Sequence, residues 1–312
     1  MKTLFFAGYF EKSLDKEFDF AYVNDKTLLD LMSSENPSDR YLLADWNHIN
    51  PDLFTDRAFD WNEKKYISAS MLNSDSVVML ATPTKISTHV SLDKVNPLWI
   101  KMEEMGIPGV NPAASCLNYG DKSYFMKHPE LPFPKTFLAN YDSLDLILNQ
   151  LGSSLIIKPL DTDGGYGVHR IENKQEKVME MMQILNNDSP LILQEFIPEI
   201  SQGERSLYFF DKKFKYAMIK RPKQGEFRSN WKYVDLLAPY IPTENELKIA
   251  QNAIETIQSL SVLERVDMVS SGKIIELTLD CPGLYLEEAG IEDKIGKWFY
   301  ESVNASIRNS KR

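Results

Sequence analysis

The stretch Ser153–Arg170, SSLIIKPLDTDGGYGVHR, sets the frame for the whole chain. The apolar run Leu155-Ile156-Ile157 ends in Lys158 and Pro159, and an acidic, glycine-rich loop, Asp161-Thr162-Asp163-Gly164-Gly165-Tyr166-Gly167, follows. Val168-His169-Arg170-Ile171 then reads as a returning strand. Glycines let the backbone turn and bring several N–H groups to one point. Such a concavity suits an anion, above all a phosphate, and a lysine on the preceding strand adds a full charge. A strand rather than a helix follows the loop, and Gly-Lys-Ser/Thr is missing. The stretch is therefore neither a Walker loop nor a dinucleotide fingerprint. Taken alone it reads equally as a β-hairpin with a glycine turn or as a phosphate cradle.

Composition narrows the setting. With 312 residues the chain has room for two or three packed units. A net charge of −10 argues against a nucleic-acid coat or a general affinity for anionic membranes. Two cysteines far apart, Cys116 and Cys281, do not make a disulfide framework and suit a reducing, cytoplasmic compartment. The start, MKTLFFAGYF, reads as a first strand rather than a signal peptide. No apolar run approaches the length of a membrane span.

Outward from the opening stretch, the pattern predicts three units. Residues 1–115 form an N-terminal α/β domain with strands at Lys2–Tyr9, Tyr41–Ala44 and Ser76–Ala81, a strand-then-helix at Ala21–Ser33 and a helix at Pro97–Met105. Strand–helix alternation argues for a parallel sheet. Its ligand crevice lies beyond the strands' carboxyl ends, near Asp45, Trp46 and Thr82–Lys85. Residues 116–190 form a small lid subdomain. It has a helix at Tyr119–His128 containing Lys122, a strand at Thr136–Leu138 and a helix at Asp142–Leu151 with Leu144, Leu146, Ile147 and Leu151 on one face. The opening stretch and a helix at Lys174–Leu185 complete it. Residues 191–312 form a C-terminal antiparallel subdomain. It holds a strand at Leu191–Ile197, a hairpin at Ser206–Phe210 and Phe214–Ile219, and a basic loop at Lys220–Asn230. An amphipathic helix at Glu244–Leu260, a hairpin at Val262–Val269 and Lys273–Asp280, and a closing helix at Ile291–Ile307 follow.

Two of these pieces carry charge in a pattern. Alternation puts Glu276, Thr278 and Asp280 on one face of the last hairpin, with Asp267 on the partner strand. Converging carboxylates repel one another unless a cation neutralises them, and oxygen-only ligands suit Mg²⁺; a solvated strand face is the plain alternative. The basic loop, Lys220-Arg221-Pro222-Lys223-Gln224-Gly225-Glu226-Phe227-Arg228-Ser229-Asn230, sets four cations in an acidic protein. Arginine offers a planar fork to phosphate or carboxylate oxygens; an exposed surface loop is the alternative.

The order of the pieces resembles the ATP-grasp superfamily, in the branch of prokaryotic glutathione synthetase, the ribosomal-protein glutamate ligases and the cycloserine ring-closing ligase. The phrases that carry the resemblance are IIKPLDTDGGYGV, QEFIPEI, GERSLYFF, KRPKQGEFRSN and VDMVSSGKIIELTLDCPGLYL. It covers about residues 110–290, and residues 1–110 match only in outline. The resemblance implies an α/β and α+β ATP-grasp fold that uses ATP and one or two Mg²⁺ ions. Lys122 and Lys158 look like the lysines that hold the α- and β-phosphates. Asp163, Gly164, Gly165 and Gly167 are similar to the movable lid. Gln194, Glu195, Phe196 and Ile197 match the hinge that pairs with adenine, and Glu204 matches the acid on the ribose. Lys220, Arg228 and Asn230 match groups near the γ-phosphate and an acyl phosphate. Asp267 and Glu276 match magnesium ligands, with Asp280 on the same face.

The implied reaction is ATP-dependent ligation of a carboxylate to an amine through an acyl phosphate. The substrate is a small amino-acid-like molecule or a peptide, and no nucleic acid or membrane takes part. A homo-oligomer is compatible with the sequence. Two departures stand out. Thr278 occupies the second metal-ligand position, a poorer ligand that weakens the case for a second ion. The segment Ala81-Thr82-Pro83-Thr84-Lys85 lacks the arginine and tryptophan of the ring-closing branch. The alternative reading is a degenerate ATP-grasp scaffold or regulatory protein that binds nucleotide without ligase activity.

Overall fold

The computed structural model describes residues 1–8, 23–79, 92–162, 164–185, 190–258, 260–280 and 282–310. Asp163, the Ala81–Lys85 segment and Cys281 lie outside the described residues. Three sheets organise the rest. The first holds β1 (Thr3–Gly8), β2 (Arg40–Asp45), β3 (Phe54–Asp60), β4 (Lys65–Ser70), β5 (Ser76–Met79) and β6 (Gly109–Val110) in the order β4-β3-β2-β1-β5-β6. The second holds β7 (Thr136–Leu138), β8 (Ser154–Pro159), β9 (His169–Glu172) and β10 (Leu191–Glu195) in the order β7-β10-β8-β9. The third holds β11 (Glu204–Phe210), β12 (Lys213–Pro222), β13 (Val234–Tyr240), β14 (Leu263–Met268) and β15 (Ile274–Thr278) in the order β13-β12-β11-β14-β15.

The first sheet is mixed rather than wholly parallel. β1, β2, β5 and β6 pair in parallel, and the polar β3–β4 hairpin, absent from the sequence reading, extends the edge antiparallel. The second and third sheets are antiparallel throughout. β10, expected to open the C-terminal unit, pairs with β7 and β8 in the central sheet. The chain leaves that sheet at Glu195 and enters the third at Glu204.

One core joins the two ends of the chain. Leu4 and Phe6 of β1 pack in the same buried cluster as Tyr208 and Phe210 of β11 and Ile295, Phe299 and Val303 of the last helix, Glu292–Ser310. Burying such side chains contributes about 1.5–3 kcal/mol each. Asn111 adds a polar joint. Its side-chain amide donates to the carbonyls of Leu263 (2.6 Å), Leu279 (3.1 Å) and Asp280 (2.8 Å). Its side-chain oxygen accepts from the N–H groups of Val262 (2.8 Å) and Leu263 (2.9 Å). The helix Glu244–Ile257 backs the third sheet through Ala250, Ala253 and Ile254. It starts at a Thr243–Glu246 capping box, which satisfies N–H groups the first turn leaves open. Among the described residues no helix is long and apolar enough to cross a membrane.

Several expected boundaries move. Lys122 stands in the turn between the helices Ala113–Tyr119 and Tyr124–Lys127, not within one helix. The helix of the central unit is short, Leu144–Leu148, and Leu146 points to solvent while Leu148 is buried. β12 runs on to Pro222 because β13 pairs with it, so Lys220 and Arg221 are strand residues rather than loop residues. Asp45 and Trp46 serve the fold: the Asp45 carboxylate accepts from Asn47 N at 2.7 Å, and the fully buried Trp46 ring meets Trp99 edge-on at 5.6 Å.

Candidate nucleotide site

The third sheet presents three rungs of polar side chains on one face. Lys220 lies opposite Glu204, Ser206 opposite Asp267, and Asp267 opposite Glu276. One rung on, Tyr216 faces Tyr208, Tyr208 faces Arg265, and Arg265 faces Thr278. The period of two puts every second residue of β11, β14 and β15 on this face. Lys220 Nζ contacts the Glu204 carboxylate and lies 3.9 Å from Asp267 Oδ1. Arg265 Nε donates to both Asp267 oxygens, at 3.0 and 2.8 Å, and its terminal nitrogen lies 2.7 Å from Asp267 Oδ2 and 3.8 Å from Glu276 Oε2. Ser206 Oγ donates to Asp267 Oδ1 at 2.5 Å, and Ser229 Oγ donates to Glu204.

Apart from the part-exposed Glu276 these charges are buried, so each depends on its neighbours. Burial works to release the Lys220 proton, but Glu204 and then Asp267 outweigh it and hold that ammonium above the usual lysine range. Burial likewise pushes Asp267 up, and Arg265 and then Lys220 overcome it, so the carboxyl ends below its ordinary range. Glu204 is raised, because burial and the nearby Asp267 exceed the pull of Lys220.

The second sheet contributes a cation of another kind. Lys158 on β8 is buried, and its Nζ donates to the side-chain oxygen of Gln194 at 3.0 Å. Gln194 in turn donates to Thr136 Oγ1 at 2.8 Å. Among the described residues no carboxylate forms an ion pair with Lys158. Burial, then the Lys122 charge, pull its pKa down to about 7. Lys122 Nζ donates to the Thr162 carbonyl, and the buried Thr162 Oγ1 has no hydrogen-bond partner among the described residues. Past Pro159 the glycines turn with positive φ, +59° at Gly164, +75° at Gly165 and +67° at Gly167. A Cβ on Gly167 would sit 2.9 Å from the Pro159 ring, and one on Gly165 would run into the Asn230 side-chain oxygen. The glycine turn and the basic loop therefore touch.

The hinge and the basic loop take defined partners. The Glu195 carboxylate pairs with Lys273 at 2.6 Å and accepts from Lys135 N at 3.2 Å. The Phe196 ring lies under the Arg170 guanidinium at 3.8 Å and meets Phe227 edge-on at 6.4 Å, with Ile197 in the small core beneath. Arg228 is held by neighbours within its own loop. Glu226 holds it through Nε at 3.0 Å and a terminal nitrogen at 2.7 Å, and it lies 3.8 Å over the Tyr233 ring. The Glu226 carboxyl is pulled down to about 2, chiefly by its hydrogen bond with Arg228.

The structure thus brings Lys220, Glu204, Asp267 and Glu276 together, sets Lys158 beside Gln194, and joins Asn230 to the glycine turn. Asp280 follows β15, and its carbonyl accepts from Asn111. Among the described residues no group of three or more histidines, cysteines or acids stands close enough to hold a metal ion. Arg265, Ser206 and Ser229 were missed by the sequence reading. Arg265 was within reach of it, since strand alternation puts a residue two before Asp267 on the same face. The same alternation reaches Ser206, two residues after Glu204, while Ser229 carries no local signal.

The site fits a magnesium nucleotide on three observations. Lys158 is a buried lysine with no ion-paired carboxylate among the described residues, and an anion beside it would favour its charged form. Thr162 Oγ1 is a buried hydroxyl without a hydrogen-bond partner among the described residues. Asp267 and Glu276 are two facing carboxylates, and Mg²⁺ usually takes one or two from the protein and the remainder from water and phosphate.

A family model described as prokaryotic glutathione synthetase, ATP-grasp domain, matches residues 121–287, more than half of the chain. A glutathione synthetase of Vibrio vulnificus (strain CMCP6) is 26% identical over 185 residues, which are 58% of this chain and 58% of that protein. The match therefore spans under two thirds of that relative's length. In fold, the chain resembles the crystal structure of D-cycloserine synthetase DcsG, with a TM-score of 0.69, 16% identity and coverage of 98% of this chain and 99% of that one. It also resembles a D-alanine–D-alanine ligase of Bacillus anthracis complexed with ATP, with a TM-score of 0.66, 17% identity and coverage of 100% and 99%. The mixed first sheet, the antiparallel central sheet and the antiparallel third sheet are the ATP-grasp fold. The chain belongs to the prokaryotic glutathione synthetase ATP-grasp domain family.

Proposed function

We propose that the protein is an ATP-dependent ligase that joins a carboxylate to an amine through an acyl phosphate. The substrate is a small amino-acid-like molecule or a peptide. The observation that carries the reading is Lys158, a buried lysine with no ion-paired carboxylate among the described residues, hydrogen-bonded to Gln194 on the neighbouring strand and within electrostatic reach of Glu276 and Glu204. Lys158 and Lys122 hold the phosphates, with the Thr162 hydroxyl beside them. Glu204 receives the ribose. Mg²⁺ arrives with the nucleotide and screens its charge; Glu276, the more open of the two facing acids, and Asp267 hold it.

The chemistry is charge management. The nucleophile is an anion approaching a polyanion, so cations must cancel the repulsion and stabilise the transferring phosphoryl group. Lys220 and Arg265, both held charged by buried acids, are placed for this. Arg228 and Asn230, on the loop beside the glycine turn, receive the entering carboxylate. The glycine turn over Asn230 excludes water from the activated acyl group. The three units, 1–115, 116–190 and 191–312, serve as substrate wall, lid and catalytic sheet, with β10 shared with the lid.

One observation favours the second reading, a nucleotide-binding scaffold without turnover: Arg265 already occupies both oxygens of Asp267. The two readings separate in one experiment. Purified protein with MgATP is offered a panel of amino acids, dipeptides and amines, and ADP release is measured. Release that requires both a carboxylate and an amine supports the ligase. Nucleotide binding without turnover on any pair supports the scaffold, and no binding at millimolar MgATP refutes both.

A further inference from the structure

The segment between β12 and β13 is a closed loop with a tight neck. Pro222 pairs with Val234, Lys223 N donates to the Tyr233 carbonyl at 2.9 Å, and Tyr233 N donates to the Asn230 carbonyl at 2.8 Å. Within it, each residue from Glu226 to Asn230 takes a different neighbour. Glu226 accepts from Phe227 N at 2.8 Å and Arg228 N at 3.0 Å, and it grips one edge of the guanidinium. Phe227 meets the hinge residue Phe196. Ser229 donates to Glu204. Asn230 lies against Gly165.

Tyr233 has two neighbours that matter together. The Arg228 guanidinium lies over its ring at 3.8 Å, and its Cε2 lies 3.4 Å from where a Cβ of Gly165 would stand. The arginine is therefore fixed on an edge by Glu226 and on a face by Tyr233, while the ring is bounded by the glycine turn. A guanidinium over an aromatic face is attracted to it, more strongly where water is excluded. Withdrawing the glycine turn would uncover the ring and weaken that hold.

We propose that Tyr233 is a positioning residue that makes the placement of Arg228 depend on the glycine turn being seated. The inference rests on the nucleotide reading of that turn. Occupancy by nucleotide seats the turn on Asn230 and Tyr233, Tyr233 then fixes Arg228, and the arginine is ready for the substrate carboxylate only after nucleotide has bound.

Hydrogen exchange over residues 164–170 and 226–230, with and without Mg²⁺ and a non-hydrolysable ATP analogue, tests this. In the wild type the analogue slows both stretches together. In Y233L, which keeps bulk but loses the ring face, the analogue slows 164–170 while 226–230 exchanges about tenfold faster than in the liganded wild type. Y233F restores the joint response. Joint slowing in Y233L overturns the proposal, and so does a Y233F variant that fails as Y233L does. A wild type with neither slowing nor a heat of binding refutes the nucleotide reading instead. In that case the analogue-free samples still decide: faster exchange of 226–230 in Y233L supports the ring as the arginine's seat, and equal exchange overturns it.

Discussion

Lys158 makes nucleotide binding a proton-coupled event. In the empty protein its pKa is about 7, because burial and then Lys122 disfavour the charged form. A phosphate placed against it favours the charged form and raises that pKa. Between pH 7 and the higher pKa of the complex, the complex therefore holds more protons than the free protein. Binding takes up a proton there, and affinity falls as pH rises through that window; below about pH 7 it is at its full value. At pH 8 only about a tenth of the free protein carries the proton. Association then takes up about 0.9 proton, and affinity is about tenfold, or about 1.4 kcal/mol, below that of a permanently charged lysine. The nucleotide phosphates are already ionised at pH 8, their second pKa being about 6. Titration calorimetry at pH 8 in buffers of different ionisation enthalpy reads the uptake as a slope. A slope of zero in the wild type would refute the reasoning. Lys158→Ala is expected to abolish binding. The same depressed pKa acts on folding: the unfolded chain keeps Lys158 protonated between about pH 7 and 10, so stability of the empty protein rises with pH across that range.

Two further predictions concern other parts of the molecule. Asn111→Ala takes the acceptor from the Val262 and Leu263 N–H groups and the Asn111 donor from the Leu263 and Asp280 carbonyls, while the Leu279 carbonyl keeps Ser261 Oγ; at about 1–3 kcal/mol for a buried unpaired group, with some relaxation, it costs roughly 3–5 kcal/mol in urea unfolding. An unchanged midpoint would contradict the joint. Asp267→Ala combined with Glu276→Ala removes the Mg²⁺ dependence of nucleotide affinity, measured with magnesium and with chelator; a preserved dependence would show that other residues hold the ion.

Local chemistry was legible in the sequence. The strand–lysine–glycine run at Ser153–Arg170 specifies its own turn, because positive φ is a property of glycine itself. Alternation put Glu276 and Thr278 on one face of the last hairpin with Asp267 on the strand beside it, and the register sets Asp267 opposite Glu276. What depends on neighbours was not legible. Lys122 reads as helical by its surroundings, yet its backbone N–H goes to the Leu160 carbonyl, which holds it in a turn. Lys220 reads as a loop residue because proline and glycine follow it, but pairing with β13 keeps it in the sheet. The β3–β4 hairpin is polar along much of its length, so no hydrophobic period marks it. Arg228 was assigned to phosphate from its order in the chain, and its hold by Glu226 and Tyr233 requires coordinates.

The core shared by β1 and the last helix has a consequence for biosynthesis. A chain emerging from the ribosome offers Leu4 and Phe6 first, but a large part of the cluster they join, from Tyr208 through Val303, is made near the end. The opening third therefore has only part of its core, from its own Leu28, Leu29 and Met32, until almost the whole chain is out. The central sheet, whose core is drawn from Leu144 to Leu193 alone, can close early.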